Sequence, residues 1–168
     1  MDGVVSALTI VPLAESHWPQ VRRIYEDGIA TGQATFETAA PDWEGFDASR
    51  NRDCRFVGID GARVVAWAAL TPFSSRPVYR GVAEASVYVA AEARGTGVGS
   101  RMLEALVRAS EENGYWTLLA KIFPENAASL SLVRKFGFRE VGVLTKIARD
   151  RGVWRDVVLL ERRVGLEV

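Results

Sequence analysis

The stretch that decides the fold is Val87-Tyr88-Val89-Ala90-Ala91-Glu92-Ala93-Arg94-Gly95-Thr96-Gly97-Val98-Gly99-Ser100. β-Branched and aromatic residues over Val82–Ala90 predict a strand, and apolar residues at helical spacing predict a helix over Gly97–Asn113. The glycines between them let backbone N–H groups converge at the N-terminus of that helix, which carries partial positive charge. The stretch therefore predicts a cradle for an anion, best suited to a pyrophosphate, with Arg94 as a charged donor.

Three phosphate-binding patterns compete for this segment. A Walker loop ends in Gly-Lys-Ser/Thr, whereas residues 99–101 are Gly-Ser-Arg. A dinucleotide fingerprint needs G-x-G-x-x-G near the first strand of a repeated βαβ unit, whereas this chain has G-x-G-x-G late in the sequence and no second unit. The third pattern, R-G-x-G-x-G after a strand, is typical of the pyrophosphate loop of acetyl-CoA-dependent N-acetyltransferases. On the glycines alone, a plain tight turn between strand and helix remains open.

Composition and charge narrow the class of protein. The chain has 168 residues, which suits a single domain over 1–168, and its 48% apolar and 25% charged residues exclude disorder. Because 21 basic residues balance 21 acidic ones, we expect no nucleic-acid partner. The N-terminus has no basic region, and no apolar run approaches the roughly 20 residues of a membrane span. We therefore expect a soluble, cytoplasmic protein without a membrane partner.

Outward from the glycine loop, strand and helix patterns alternate along the chain. Further strands are predicted over Ser6–Leu13, Arg55–Asp60, Ala62–Leu70, Tyr115–Phe123, Phe138–Ile147 and Val153–Arg163, and further helices over Glu15–Ala30 and Asn126–Phe136. Asp60-Gly61 is a hairpin signal, Ser16 is a candidate N-cap, and Pro41 is expected in the first turn of a short helix. The order βα(α)βββαβαββ predicts an α/β protein with a mixed central sheet and helices on both faces.

Several motifs together resemble one family. They are Thr35-Phe36-Glu37-Thr38, Glu84-Ala85-Ser86-Val87-Tyr88-Val89, Arg94-Gly95-Thr96-Gly97-Val98-Gly99, Phe123-Pro124-Glu125-Asn126-Ala127-Ala128-Ser129-Leu130, Gly137-Phe138-Arg139 and Gly152-Val153-Trp154-Arg155-Asp156-Val157. They resemble the phosphinothricin and methionine-sulfoximine acetyltransferases of the GNAT superfamily, over 8–163. The resemblance implies the GNAT fold, with a β-bulge or splay at the cofactor site. It also implies direct acetyl transfer from acetyl-CoA to the α-amino group of a small amino acid analogue, and a role in herbicide or antibiotic resistance.

The resemblance implies a set of donor-binding residues. Backbone groups of Val87, Tyr88 and Val89 would hold the pantetheine arm as though it were an added strand, and the Val89 N–H would stabilise the oxyanion. Asn126 and Ser129 would reach the pantetheine, although Asn126 also suits an N-cap. The pyrophosphate would be held by Arg94, Gly95, Thr96, Gly97, Val98, Gly99 and Ser100.

Glu84 is the candidate general base. Strand alternation puts Glu84, Ser86 and Tyr88 on one face, and a carboxylate within an apolar strand is costly unless it is hydrated, paired or useful. Such a carboxylate could take a proton from the substrate ammonium, directly or through water. The alternative is a plain ion pair, for example with Arg80.

The resemblance places the acceptor pocket at two loops. Arg76, Tyr79 and Arg80 would line it, because guanidinium groups suit carboxylate and phosphinate oxygens. Phe36 and Glu37 would approach from the first helical connection. The alternative for the two arginines is solvated surface charge. Trp67 could form a wall of the pocket, but core packing is favoured for it.

One position departs from the pattern of the resembling family. Many superfamily members carry Tyr, and this branch usually His, where this chain has Val133, which cannot protonate the departing thiolate. Either another group does so, or the thiolate leaves without help. The sole cysteine, Cys54, is expected to be a small core residue, and the sole histidine, His17, a helix-start or surface residue. No cluster has metal-ligand spacing, so we expect no metal.

Two alternative functions remain open from the sequence, and it also predicts an oligomeric state. A peptide or ribosomal-protein N-terminal acetyltransferase could share this fold, and the valine at 133 is the one hint of a non-catalytic acyl-CoA-binding sensor. We expect a homodimer built largely from the last two predicted strands, because Val153, Trp154 and Val157 would leave apolar surface exposed.

Overall fold

A computed structural model describes residues 7–164 and contains the predicted order of strands and helices. The strands are β1 (Leu8–Pro12), β2 (Arg55–Asp60), β3 (Arg63–Pro72), β4 (Val82–Val89), β5 (Thr117–Ile122), β6 (Arg139–Asp150) and β7 (Val153–Arg163). The helices are α1 (Trp18–Ala30), α2 (Trp43–Ser49), α3 (Val98–Glu112) and α4 (Ala127–Lys135). Short 3-10 turns cover Glu15–His17, Pro77–Tyr79 and Ala91–Ala93. Ser6, with which the first predicted strand began, lies outside the described residues.

The seven strands form one mixed sheet in the order β1-β2-β3-β4-β5-β7-β6. Every neighbouring pair is antiparallel except β4 and β5, which α3 connects as a parallel crossover. The predicted hairpin at Asp60-Gly61 joins β2 to β3, and its turn places Gly61 at a φ of +63°, a region that favours glycine. The predicted α/β class and mixed sheet are therefore confirmed.

The parallel pair opens into a splay. β4 and β5 are paired only from Val82↔Thr117 to Glu84↔Leu119, although both strands continue beyond those residues. The register between β3 and β4 stays regular throughout. The three register shifts in the described residues lie elsewhere, one at Gly58/Ile59 and two within β6. The bulge or splay expected at the cofactor site is therefore a splay, in which β4 and β5 separate, and not a bulge in β4.

Side-chain alternation across the sheet creates two hydrophobic cores. On one face α3 and α4 pack against residues such as Ala66, Ala68 and Leu118. On the other, α1 and α2 pack against Trp67 and Ala69. The helices therefore cover both faces, as predicted.

The capping residues differ from those predicted. The first helical segment begins as a 3-10 turn after Ala14, and His17 accepts a hydrogen bond from the Ala14 N–H at 3.0 Å through Nδ1, so Ser16 is not the cap. The short second helix begins at Trp43, and its cap is Asp42, whose Oδ1 accepts from the Gly45 N–H at 2.8 Å. Pro41, expected in the first turn of this helix, therefore lies one residue before the cap, because the Asp42 side chain satisfies a free amide of the first turn. Within the described residues, no helix is long and apolar enough to cross a membrane.

Candidate active site

A cavity of about 330 Å³ occupies the splay between β4 and β5. Its lining comes from both faces of the sheet. On the α3 side lie Ala85, Val87, Leu103, Ala120, Ile122, Asn126, Ser129, Leu132 and Val133. On the α1 side lie Gln33, Ala34, Thr35, Phe36, Glu37, Glu84, Ser86, Tyr88, Lys121 and Phe123. The opening therefore passes through the sheet and can be reached from two directions.

The edge of β4 presents free backbone groups to this cavity. In the antiparallel β3–β4 ladder, Ala90 N–H donates to Val65 at 2.8 Å and Phe73 N–H donates to Val82 at 3.1 Å. Hydrogen-bonded pairs alternate along such a ladder, so Val87 and Val89 direct their N–H and C=O groups away from β3. Beyond Glu84 those groups face the side from which β5 has diverged. Their arrangement suits an extended ligand that adds to the sheet as a strand would.

The predicted glycine cradle lies at the start of α3. Gly95 and Gly97 have φ values of +74° and +86°, and a Cβ on either would meet no atom within 4 Å. The first helical hydrogen bond runs from Arg101 N–H to the Gly97 carbonyl at 3.2 Å, so the amides of residues 98–100 have no intrahelical partner. The Val98 side chain is buried, and what this residue can offer a ligand is its amide. Free amides at a helix N-terminus, next to open space, suit an anion.

Arg94 links the cradle to β4. Its Nε donates to the Val89 carbonyl at 3.3 Å, while Thr96 Oγ1 donates to the Ala93 carbonyl. Within residues 7–164, no side chain accepts a hydrogen bond from the Val89 N–H. The Arg94 guanidinium is thereby held between the free strand edge and the helix N-terminus, where an anionic chain running from one to the other would pass.

The N-terminus of α4 closes the α3 side of the cavity. Asn126 is the N-cap, as its alternative interpretation predicted, because Oδ1 accepts from the Ser129 N–H at 3.2 Å. The Asn126 Nδ2 donates to the Gln33 carbonyl at 3.2 Å and so bridges to the opposite wall. Val133, which is buried, also lines the cavity and presents only methyl groups to it.

Two ionised side chains meet on the α1 side. Glu84 Oε2 lies 3.1 Å from Lys121 Nζ, and the two side chains are 32% and 47% exposed. The alternative partner considered from the sequence, Arg80, is not the one observed. Tyr88 lies nearby with its ring stacked on Trp67 at 4.6 Å, and burial raises the pKa of its phenol, which therefore stays protonated. Tyr88 can donate a hydrogen bond here but cannot serve as a base.

Contacts from distant parts of the chain hold residues 33–37, called the 33–37 loop below. The Phe36 ring meets the Phe123 ring edge-on at 4.9 Å. The guanidinium of Arg155 lies 3.9 Å from the centre of the same Phe123 ring. It also donates to the Gly32 carbonyl at 3.0 Å and to Gln33 Oε1 at 3.2 Å. These contacts fix the wall of the cavity that faces Glu84.

Comparison with known proteins decides the family. The family model described as the acetyltransferase (GNAT) family matches residues 15–138, which is most of the chain. The chain belongs to the GNAT family of acetyltransferases.

Relatives of this acetyltransferase have named activities. It is 31% identical over 166 residues to the phosphinothricin N-acetyltransferase of Alcaligenes faecalis, covering 93% of this chain and 82% of that protein. It is 30% identical over 151 residues to the L-methionine sulfoximine/L-methionine sulfone acetyltransferase of Pseudomonas paraeruginosa, covering 85% and 87% respectively.

Solved structures agree with the fold. A ribosomal-protein-alanine N-acetyltransferase from Brucella melitensis superposes with a TM-score of 0.86 at 32% identity, covering 93% of this chain and 99% of that one. A GNAT superfamily phosphinothricin acetyltransferase from Sinorhizobium meliloti, in complex with acetyl-CoA, gives a TM-score of 0.84 at 26% identity, covering 94% and 89%.

Three residues expected at the acceptor pocket of this GNAT protein do not line the cavity of the single chain. Arg76, Tyr79 and Arg80 are exposed on the segment before β4. The Arg76 guanidinium lies 5.9 Å from the Tyr79 ring, and that of Arg80 lies 5.2 Å from the Trp116 ring. Trp67 is fully buried in the α1-side core, as favoured, while Phe36 and Glu37 do line the cavity.

The sequence reasoning missed two residues at this site. Lys121 interrupts an apolar strand just as Glu84 does, and the same argument about buried charge could have identified it. Arg155 lies within the motif over 152–157, but no function was predicted for it. Two of its hydrogen-bond partners, Gly32 and Gln33, lie more than 120 positions away along the chain, and no local sequence pattern indicates them.

Proposed function

We propose that this enzyme transfers an acetyl group from acetyl-CoA to the α-amino group of a small amino acid analogue of the phosphinothricin, methionine sulfoximine or methionine sulfone type. The observation that carries the proposal is the cavity that passes through the sheet at the splay. A donor bound along the α3 side and an amine bound on the α1 side can meet there without crossing. The names of the relatives supply the acceptor class.

The residues on the α3 side fit acetyl-CoA. The free groups of Val87 and Val89 match the amides of a pantetheine arm, which would extend the sheet next to β4. The open cradle over 95–100 and the Arg94 guanidinium match a pyrophosphate. Ser129 lines the cavity between these two regions. Acetyl-CoA supplies an activated thioester when bound, and the protein supplies its position.

On the α1 side, Glu84 is proposed to take the proton from the acceptor ammonium, directly or through one water. The neutral amine then attacks the thioester carbonyl, and the Val89 N–H, which points away from β3 on the side from which β5 has diverged, stabilises the negative charge on the oxygen. The transfer is proposed to be direct. Burial raises the pKa of the sole cysteine, Cys54, to about 11 and places this thiol in the core, so it is no nucleophile for an acyl-enzyme route.

Val133 bears on the departure of the thiol. It presents methyl groups where a tyrosine or histidine could have donated a proton. A free thiol has a pKa of about 8.5, so the coenzyme A thiolate is a tolerable leaving group near neutral pH. We propose that the tetrahedral intermediate expels the thiolate without a dedicated acid, that the attacking nitrogen loses its second proton to solvent, and that the thiolate takes its proton from solvent.

The test is an assay of coenzyme A release with acetyl-CoA and a panel of acceptors. Phosphinothricin, methionine sulfoximine, methionine sulfone, simple amino acids and a ribosomal-protein N-terminal peptide form the panel. Turnover with the free amino acid analogues and little with the peptide is the expected result. The Brucella structure makes the peptide the informative competitor, since turnover confined to it would replace the proposed acceptor class. Acetyl-CoA binding without turnover of any acceptor would favour a sensor.

We also propose that the enzyme works as a homodimer in the cytoplasm, where acetyl-CoA is a metabolite, and that it confers resistance to such analogues. The β6–β7 hairpin leaves a row of large apolar side chains exposed, with Val153 at 60% and Trp154 at 56%. Val157, which was expected to be exposed with them, is instead buried, because it lies further along β7, where its side chain lines the cavity. Exposed apolar surface of this kind marks a protein interface. Light scattering should give twice the chain mass of 18.4 kDa. A mass of one chain at assay concentration would contradict the dimer, and expression without protection of a sensitive host would contradict resistance.

A further inference from the structure

The acceptor side of the cavity carries a single positive charge among the described residues that line it. Three ionised side chains lie there, namely Glu37, Glu84 and Lys121. The guanidinium groups of Arg76 and Arg80 lie outside this lining, over the rings of Tyr79 and Trp116. An acceptor that brings a carboxylate into the cavity therefore meets Lys121 as its available cation.

The register of the sheet places this lysine. Leu118 and Ala120 are buried in the α3-side core, so strand alternation turns Leu119 and Lys121 to the other face. Glu84 pairs with Leu119 and shares that face. The result is the 3.1 Å approach of Lys121 Nζ to Glu84 Oε2 at the point where the strands separate.

The ammonium of Lys121 can donate more hydrogen bonds than its ion pair with Glu84 requires. It has three N–H donors, and in the described part of the chain its ion pair is with Glu84 alone. The side chain is 47% exposed, so the remaining donors can turn toward the cavity. Glu84 likewise has a second carboxylate oxygen that makes no ion pair within residues 7–164.

We propose that Lys121 binds the α-carboxylate of the acceptor while Glu84 receives its α-ammonium. The two groups of an α-amino acid sit on one carbon, with nitrogen and oxygen about 3 Å apart by standard bond lengths. The Glu84–Lys121 pair has nearly the same spacing. A zwitterion can therefore dock against the pair with each charge facing its opposite, which sets the amine beside its base. This inference rests on the proposed acceptor class and assigns the residue that reads it.

The experiment compares methionine sulfone with its carboxamide, which keeps the amine but lacks the carboxylate. Lys121→Met is expected to lower kcat/KM for the acid by about 10- to 100-fold, mainly through a higher KM, because a charged hydrogen bond is lost. The same variant should change kcat/KM for the carboxamide little. Lys121→Arg keeps the charge and should restore much of the loss. Lys135→Met, which removes an exposed charge on α4, is the matched control.

Equal losses for the acid and the carboxamide would overturn the proposal, because they would make Lys121 a residue that only positions Glu84. So would an unchanged KM for the acid in Lys121→Met. If Arg80→Ala instead abolished the preference for the acid, the anchor would be that guanidinium. Failure of the acceptor class is seen separately, in the wild-type enzyme, as equal use of the acid, the carboxamide and simple alkylamines.

Discussion

Gly97 offers the sharpest test of the anion cradle. Two substitutions at this position should rank in one order by thermal stability and in the opposite order by affinity for acetyl-CoA. It is the N-cap of α3 with φ +86°, and a Cβ built on it meets no atom within 4 Å. A Cβ at this position therefore meets backbone strain but no steric clash. We compare Gly97→Gln with Gly97→Glu, which have nearly the same shape and differ by one negative charge.

The unliganded protein should tolerate the charged variant slightly better. A left-handed conformation costs an L-residue about 1–2 kcal/mol, which both variants share. A carboxylate near a helix N-terminus recovers about 0.3–1 kcal/mol of this. For a chain of this length 1 kcal/mol corresponds to about 2–4 °C in Tm. Gly97→Gln should therefore melt a few degrees below wild type, and Gly97→Glu should melt no lower than Gly97→Gln.

Binding of acetyl-CoA should show the reverse order. A carboxylate about 5 Å from a phosphate charge is repelled by about 3 kcal/mol at the effective dielectric constant of a protein surface. That energy corresponds to a Kd more than about 100-fold weaker. Gly97→Gln lacks the repulsion and should bind within a modest factor of wild type.

Calorimetry of unfolding and titration of acetyl-CoA give the two orders on the same samples. The gap in affinity between the variants should shrink as salt is raised, because mobile ions screen the repulsion. Equal affinities of two folded variants would refute the pyrophosphate assignment of the glycine loop. A gap that is independent of salt would refute the electrostatic reasoning.

Three further predictions address the base, the core beneath the site and the interface. Glu84→Gln should bind acetyl-CoA normally but lose about 10²–10⁴ in kcat near neutral pH, with rescue at high pH where the amine is already neutral; an unchanged kcat at pH 7 would move the base elsewhere. Gly28→Ala should destabilise by about 1–3 kcal/mol in thermal unfolding, although alanine usually favours a helix, because its Cβ would come 2.8 Å from the ring of Tyr88; an unchanged or higher Tm would contradict this packing. Trp154→Ser should shift the mass in light scattering toward that of one chain, and a mass that stays at two chains would place the interface elsewhere.

The strand edge and the glycine cradle on the α3 side of the cavity, proposed to bind the donor, were predictable because one continuous segment builds them. The strand, the glycine turn and the helix follow each other within Val82–Glu112, and each has a local cause in residue type or spacing. Periodicity also gives the residues of β4 whose backbone groups turn away from β3, once β3 is known to pair with it; that this edge is free depends on the divergence of β5. The starts of the helices were less predictable: Pro41 was expected in the first turn of α2, but the helix starts two residues later, where Asp42 caps it through the Gly45 amide.

The acceptor side could not be predicted in the same way, because separate segments meet there only after the sheet has formed. Glu84 and Lys121 face each other because β5 pairs with β4 in parallel for three residues and then diverges, a register that neither strand encodes alone. The 33–37 loop is held by Arg155 from β7, a contact across more than 120 residues. The short parallel pairing of β4 with β5 therefore produces the splay and also brings Glu84 and Lys121 together where the strands separate. A change in the β4–β5 register would displace the Glu84–Lys121 pair together with the free edge of β4, which physically links the two sides of the cavity.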